Sequence, residues 1–280
     1  MAKLIDMFGK IGASTWTFVA RPIADCLEPI ERIGFRSIEV WADHAAHFDL
    51  DDSDDVNRLR DHLSAFRIRA ESLHMPFGRT LDISNPDPKV RTEAVRMTIR
   101  RIRAASKIPV EEVVIHPGHA REVGEEPKRY EMAAASLEQI CSAADDLGIR
   151  VCVENLHSVG QLAFCDTLPK TLHLVRSIEG HAPGICVDTS HANLMGGLAE
   201  EMEICGTSVL RTHISDNLGA SDDHLPPGDG EINWQQVLTS LRRISYRGSL
   251  MLEIDGTKGP ERILSRARSR LKTIISKWRG

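Results

Sequence analysis

ICVDTSHANL, residues 185–194, opens as an apolar strand and then sets Asp188 and His191 three residues apart where the apolar run stops. A buried strand gains nothing from such groups unless something pairs with them, because a buried unpaired charge costs several kcal/mol. The arrangement recurs along the chain: His74 in SLHMP, His116 in VIHPG, Glu154 in VCVENLH, His213 in RTHISDN and Glu253 in MLEID. From 74 through 116, 154, 188 and 213 to 253 the intervals are 42, 38, 34, 25 and 40 residues. Each is about the length of one strand followed by one helix.

Working outward, β-like runs occur at IGAS (11–14), SIEVW (37–41), IRAESL (68–73), EVVI (112–115), IRVCV (149–153), GICV (184–187), VLRTHI (209–214) and SLMLEI (249–254). Helical spacing separates them, as in Val56, Leu59, Leu63 and Phe66, or Leu168, Leu172, Val175 and Ile178. Pro169 suits a first helical turn, and Gly148 and Gly180 follow helical runs as C-terminal caps do. Eight alternating units predict an α/β fold, a closed (β/α)8 TIM barrel, which is typically about 250 residues. The expected organisation is one barrel domain over residues 1–280. An open doubly wound sheet is the competing topology, but no G-x-G-x-x-G or G-x-x-x-x-G-K-[ST] follows any strand.

Composition narrows the chemistry. A net charge of −5 offers no overall attraction to a polyanion, so nucleic acid is disfavoured as a partner. No apolar run approaches the roughly 20 residues that span a bilayer. MAKLIDMFGK does not resemble a secretory signal, and a cytoplasmic location is the default expectation. The six cysteines form no C-x-x-C pair, and Cys152 and Cys186, inside strand runs, read as small buried hydrophobes. The acidic stretch 49–61 reads as the solvated start of a helix, and Arg91, Arg96, Arg100, Arg101 and Arg103 as a helix face turned to water. A homo-oligomer is left open.

In a (β/α)8 barrel all strand carboxyl ends open onto one face, so residues remote in sequence ring one pocket. Taken singly, Asp188 or Glu154 could cap a helix or pair with a base, and a lone histidine is more often structural. Together they need a counter-charge, and Lys and Arg are nearly absent from the same strand ends. A divalent cation supplies it; mixed carboxylate and imidazole ligands suit zinc, manganese, cobalt, iron or magnesium alike. In SDDHLPPGDGEINW (221–234), Asp222 and His224 flank Asp223 and can point the same way, ahead of a tight turn and a helix opening near Trp234. Trp16 and Trp41 end the first two strands and read either as core or as an apolar wall for a substrate.

Glu154 in VENL, Asp188 and His191 in VDTSHAN, His213 in THISDN, Asp222 and His224 before PPGDG, and Glu253 in MLEID resemble the xylose-isomerase-like barrel superfamily. That group includes sugar phosphate isomerases and epimerases, dehydratases of keto-polyols, and the apurinic endonucleases called endonuclease IV. The resemblance spans essentially the whole chain. It implies a metal held by Glu154, Asp188, His213 and Glu253, with His191 and His224 beside the substrate or a further metal. It implies a metal-dependent isomerase or epimerase of a sugar or sugar phosphate, working by proton transfer through an enediolate, with Glu154 and Glu253 as base and acid. His74, His116, Asp222 and His224 also complete the pattern by which endonuclease IV holds three zinc ions, so an apurinic endonuclease is the alternative, beside a keto-polyol dehydratase. Keto-sugar epimerases of the group carry an arginine six residues past the strand-seven histidine; here that position is Gly219.

Overall fold

The computed structural model describes residues 10–119 and 124–278; the first nine residues, which carry most of the MAKLIDMFGK reading, lie outside it. Eight parallel strands follow one another around a closed barrel: β1 (Ile11–Ser14), β2 (Ser37–Trp41), β3 (Arg69–His74), β4 (Glu112–Ile115), β5 (Arg150–Glu154), β6 (Gly184–Asp188), β7 (Val209–Ile214) and β8 (Leu250–Leu252). β8 pairs back onto β1, with Ile11 opposite Leu250 and Ala13 opposite Leu252. The expected TIM barrel is thus the fold, and the open sheet is excluded. Helices lie between the strands: α1 (Leu27–Ile33), α2 (Ser53–Ala65), α3 (Pro88–Ala105), α4 (Glu126–Asp145), α5 (Leu168–Arg176), α6 (Thr189–Met195), α7 (Leu198–Cys205), α8 (Trp234–Arg243) and, after β8, α9 (Pro260–Lys277). Among the described residues no helix is long and apolar enough to cross a membrane.

Strand residues alternate between two environments. Ile38, Val40, Val113, Val151, Val153, Ile185, Val187 and Leu252 point outward into the large core beneath the helices. Val114, Cys152 and Cys186 form a separate apolar cluster within the barrel. Met251 fills the interior beside β1, where a Cβ on Gly12 would lie 2.7 Å from its sulfur. All six cysteines are free and buried, and burial pushes the thiols of Cys26, Cys141, Cys152 and Cys205 up to about 12. The helix starts obey local chemistry: Asp52, Asp87, Thr167, Asp188 and Asn233 each accept a backbone N–H from the first turn they cap. One surface expectation is corrected. Arg100 and Arg101 do not simply face water but reach back to Asp51 at 2.7 and 2.9 Å, and the Arg101 side chain is largely buried, because α2 and α3 pack side by side.

The amino-terminal end of the barrel is closed by charge. Arg211 on β7 reaches Glu71 on β3 at 2.8 Å and also bonds Glu112 on β4, while Ser37 and Ser249 donate to Glu71 at 2.8 and 2.7 Å. Burial alone would raise the Glu71 carboxyl, but the two serines and Arg211 outweigh it and lower it from the usual 4.5 to about 2. This ionic contribution is therefore fully present above about pH 4.5 and is lost as pH falls through about 2. Glu71→Gln, which leaves Arg211 short of one buried partner, should lower stability near neutral pH by about 3 kcal/mol. Its deficit relative to wild type should shrink as pH falls through that window, read from urea midpoints.

Candidate active site

The opposite, carboxyl-terminal end gathers every residue singled out from the sequence. Glu154 ends β5, Asp188 ends β6, His213 is the penultimate residue of β7 and Glu253 directly follows β8. Their four donor atoms lie within 4.8 Å of one another, and all four residues are buried. His213 Nδ1 faces this centre, 3.1 Å from Glu154 Oε1, 3.2 Å from Glu253 Oε2 and 4.0 Å from Asp188 Oδ2. The two oxygens of Asp188 stand in different surroundings. Its Oδ1 accepts the His191 N–H at 2.8 Å as the cap of α6, while its Oδ2 is buried with no hydrogen-bond partner. An orphaned carboxylate oxygen beside two further carboxylates and one imidazole is a donor set that fits a divalent cation.

Glu154 links this tetrad to a second group: its Oε2 lies 3.1 Å from His74 Nε2 and 3.2 Å from His116 Nε2. A third group hangs from the loop after β7. Asp216 folds that loop by accepting Gly228 N–H at 2.8 Å, Ile232 N–H at 3.1 Å and the Trp234 indole N–H at 2.8 Å. The turn so formed delivers Asp222 and His224 to the mouth, with His224 at φ +44°, a conformation that non-glycine residues adopt only under local constraint. Three imidazoles converge on Asp222 Oδ2: His224 at 3.0 Å, His191 at 3.1 Å and His157 at 3.8 Å, all through Nε2. The other ring nitrogens of His191 and His224 are held by the Asn155 and Glu253 carbonyls at 2.8 and 3.0 Å. Besides the tetrad, among the described residues three further trios bring their donors within 4.8 Å: His74, His116 and Glu154; Asp188, His191 and His224; His157, His191 and Asp222.

Crowding separates the two glutamates. Burial would raise Glu154, but His213 and His116 outweigh it and hold its carboxyl well below the usual range. Burial, with Glu154 and Asp188 nearby, lifts Glu253 to about 7 despite His213 and His224. Burial lowers His116 to about 4, whereas the bond to Asp222 overcomes burial and raises His224 to about 9.

A cleft of about 240 Å³ is lined by Trp16, Trp41, Phe77, Glu154, Glu253 and the histidines and Asp222 around them, while Asp188 and His213 are not part of its wall. Trp16 sits in a 3-10 turn after β1 rather than in the strand, 6.1 Å from Trp41 and 4.7 Å from His224 between ring centres. Trp41 packs on His74 at 4.3 Å, and Phe77 stacks on His116 at 4.1 Å. Sequence reasoning missed Phe77, His157 and Glu39. His157 had a signal, since E-N-L-H (154–157) repeats the spacing of D-T-S-H (188–191).

A sequence model of the xylose isomerase-like TIM barrel family matches residues 27–274. The chain belongs to that family. Within it, an archaeal relative, uncharacterized protein MJ1311 of Methanocaldococcus jannaschii, is 28% identical over 256 residues, covering 89% of this chain and 84% of its own. D-psicose 3-epimerase of Agrobacterium fabrum is 22% identical, covering 81% and 77%. A probable endonuclease 4 of Acholeplasma laidlawii is 24% identical, covering 62% and 63%. Among solved structures, a D-tagatose 3-epimerase-like protein superposes with a TM-score of 0.82 at 25% identity, covering 96% of this chain and 99% of the other. IolI protein with a bound zinc atom superposes with a TM-score of 0.83 at 19% identity, covering 97% and 99%. Gly219, six residues past His213, has φ +74°, a left-handed conformation that a side chain there would strain.

The loop that carries Asp222 and His224 depends on Gly230, where a Cβ would fall 2.2 Å from the Asn217 carbonyl oxygen. Gly230→Ala should cost about 1–3 kcal/mol locally. The expected result is at least about tenfold faster amide exchange across residues 216–231 with the strands unchanged, measured by hydrogen–deuterium exchange.

Proposed function

We propose that the protein is a divalent-metal-dependent isomerase or epimerase acting on a keto-sugar. The observation that carries this reading is the buried tetrad of Glu154, Asp188, His213 and Glu253, its donors within 4.8 Å of one another and its two glutamates lining a cleft. Those four residues would hold the ion. When bound, it would polarise the substrate carbonyl and offset charge developing on the oxygens. Manganese, zinc, magnesium and cobalt all suit the donors.

The protein's own groups supply the rest. Glu154 and Glu253 stand on β5 and just beyond β8, three strands apart around the ring. One carboxylate takes the proton from the carbon beside the carbonyl, giving an enediolate, and the other returns a proton. Return to the opposite face of the same carbon inverts it, and return to the neighbouring carbon moves the carbonyl. Loss of a β-hydroxyl from the same intermediate would be dehydration. His191, His224 and Asp222 orient hydroxyls, while Trp16 and Trp41 give the carbon skeleton an apolar wall and keep water away. A cleft of about 240 Å³ is small beside the roughly 300–1,000 Å³ of pockets for drug-sized ligands, which favours one monosaccharide over a nucleic-acid strand.

A second reading, an endonuclease IV-like abasic-site nuclease, is favoured by one observation: the tetrad is surrounded by three further donor trios, enough for several zinc ions. Metal content separates the two. About one ion per chain with conversion of a ketose supports the sugar reading. Three zinc ions with nicking of abasic duplex DNA and no action on ketoses would replace it.

On the first reading, chelation abolishes turnover and lowers Tm, and a divalent ion restores both. Glu154→Gln and Glu253→Gln should each lower kcat by at least about 10²–10⁴-fold while circular dichroism stays native. Near-normal turnover in either variant removes the acid/base assignment.

A further inference from the structure

One buried carboxylate in the barrel has no place in the cleft or in the ionic layer at the far end. Glu39 lies on β2, 1% exposed, one layer beneath the tetrad and level with Ser72 of β3. Ser72 Oγ donates to its Oε2 at 2.7 Å. Its Oε1 lies 2.9 Å from Nε2 of His213, off the hydrogen-bonding direction, and neither atom has another hydrogen-bond partner. Arg211, two residues before His213 on the same strand, is already held by Glu71 and Glu112. The His213 ring thus stands between two carboxylate layers, Nδ1 toward Glu154 and Glu253, Nε2 toward Glu39.

We propose that Glu39 is a positioning residue for the metal centre: it takes the Nε2–H of His213, fixing the ring and its tautomer so that the Nδ1 lone pair faces the cation. The inference rests on the metal reading of the tetrad. A neutral imidazole carries one ring proton, and a ligating nitrogen must be free of it, so the proton belongs on the edge that faces Glu39. A carboxylate behind a ligating histidine orients the ring and makes it a stronger donor, and loss of such a partner typically weakens metal binding 10–100-fold. Ser72 in turn holds the Glu39 carboxylate. Ser72 alone would leave one oxygen of this buried acid without a partner, whereas the imidazole edge faces that oxygen.

The test is Mn²⁺ affinity by chelator competition on the full chain, for wild type, Glu39→Ala, Glu39→Gln and Ser72→Ala, with circular dichroism and Tm of the metal-free proteins as folding controls. Glu39→Ala should raise Kd about 10–100-fold. Glu39→Gln, whose amide oxygen still accepts the proton, and Ser72→Ala should raise it by smaller factors. A lower Tm with unchanged Kd in the folded variants would overturn the proposal. Should Glu39→Ala fail to fold, unchanged Kd in the other two variants overturns it equally. In zinc-loaded protein with ¹⁵N-labelled histidine, His213 should carry its proton on Nε2, and a proton on Nδ1 defeats the assignment. Wild type that binds no Mn²⁺, or His213→Ala that binds it as wild type does, would sink the metal reading itself. That outcome is distinct from tight wild-type binding indifferent to Glu39.

Discussion

Carboxylates that converge inside a closed barrel must be compensated, and this constraint orders the whole interior. Water cannot reach them freely, and their mutual repulsion grows as the surrounding dielectric falls. The molecule meets the problem twice. At one end Arg211 sits between Glu71 and Glu112, and the layer is complete in itself. At the other end Glu154, Asp188 and Glu253 face imidazoles, and Asp188, which accepts one backbone N–H, keeps its other oxygen with no partner. The first layer behaves as structure. The second retains coordinating capacity, which is what an active site requires.

The barrel was legible because parallel strands covered by helices are largely apolar and stand out as short runs, six of them followed or closed by an ionisable residue. The periodic return of those polar residues gave the spatial ring before any coordinates did. What stayed hidden were charges inside strands. Glu39 sits between Ile38 and Val40, Glu71, Glu112 and Arg211 each have one polar neighbour, and only barrel closure decides that such a residue points inward. Arg101 was misread for the converse reason, since helical spacing alone does not reveal that Asp51 waits across a helix–helix contact. Trp16 lies just past the expected strand 11–14, in a 3-10 turn that Ser14 caps. His157 was recoverable from its spacing to Glu154, whereas Phe77 followed no periodic rule.

The resemblance to both sugar epimerases and abasic-site nucleases has a physical basis in this site. Glu154 uses its two oxygens for two different purposes, one toward the tetrad and one toward His74 and His116. Occupying only the tetrad leaves the histidines free to meet hydroxyl groups. Filling the trios converts the same side chains into a polynuclear centre suited to phosphodiesters. On the proposed metal reading, the choice between chemistries would lie less in which residues are present than in how many cations they bound at once and how much room the aromatic walls leave above them.

The Arg211 layer also governs traffic. With one end of the barrel closed by the Arg211 ion pairs and by Met251, the cleft lined by Trp16 and Asp222 lies at the opposite, carboxyl-terminal end. On the proposed function, reactant and product would then contend for that one cleft, so the product should act as a competitive inhibitor.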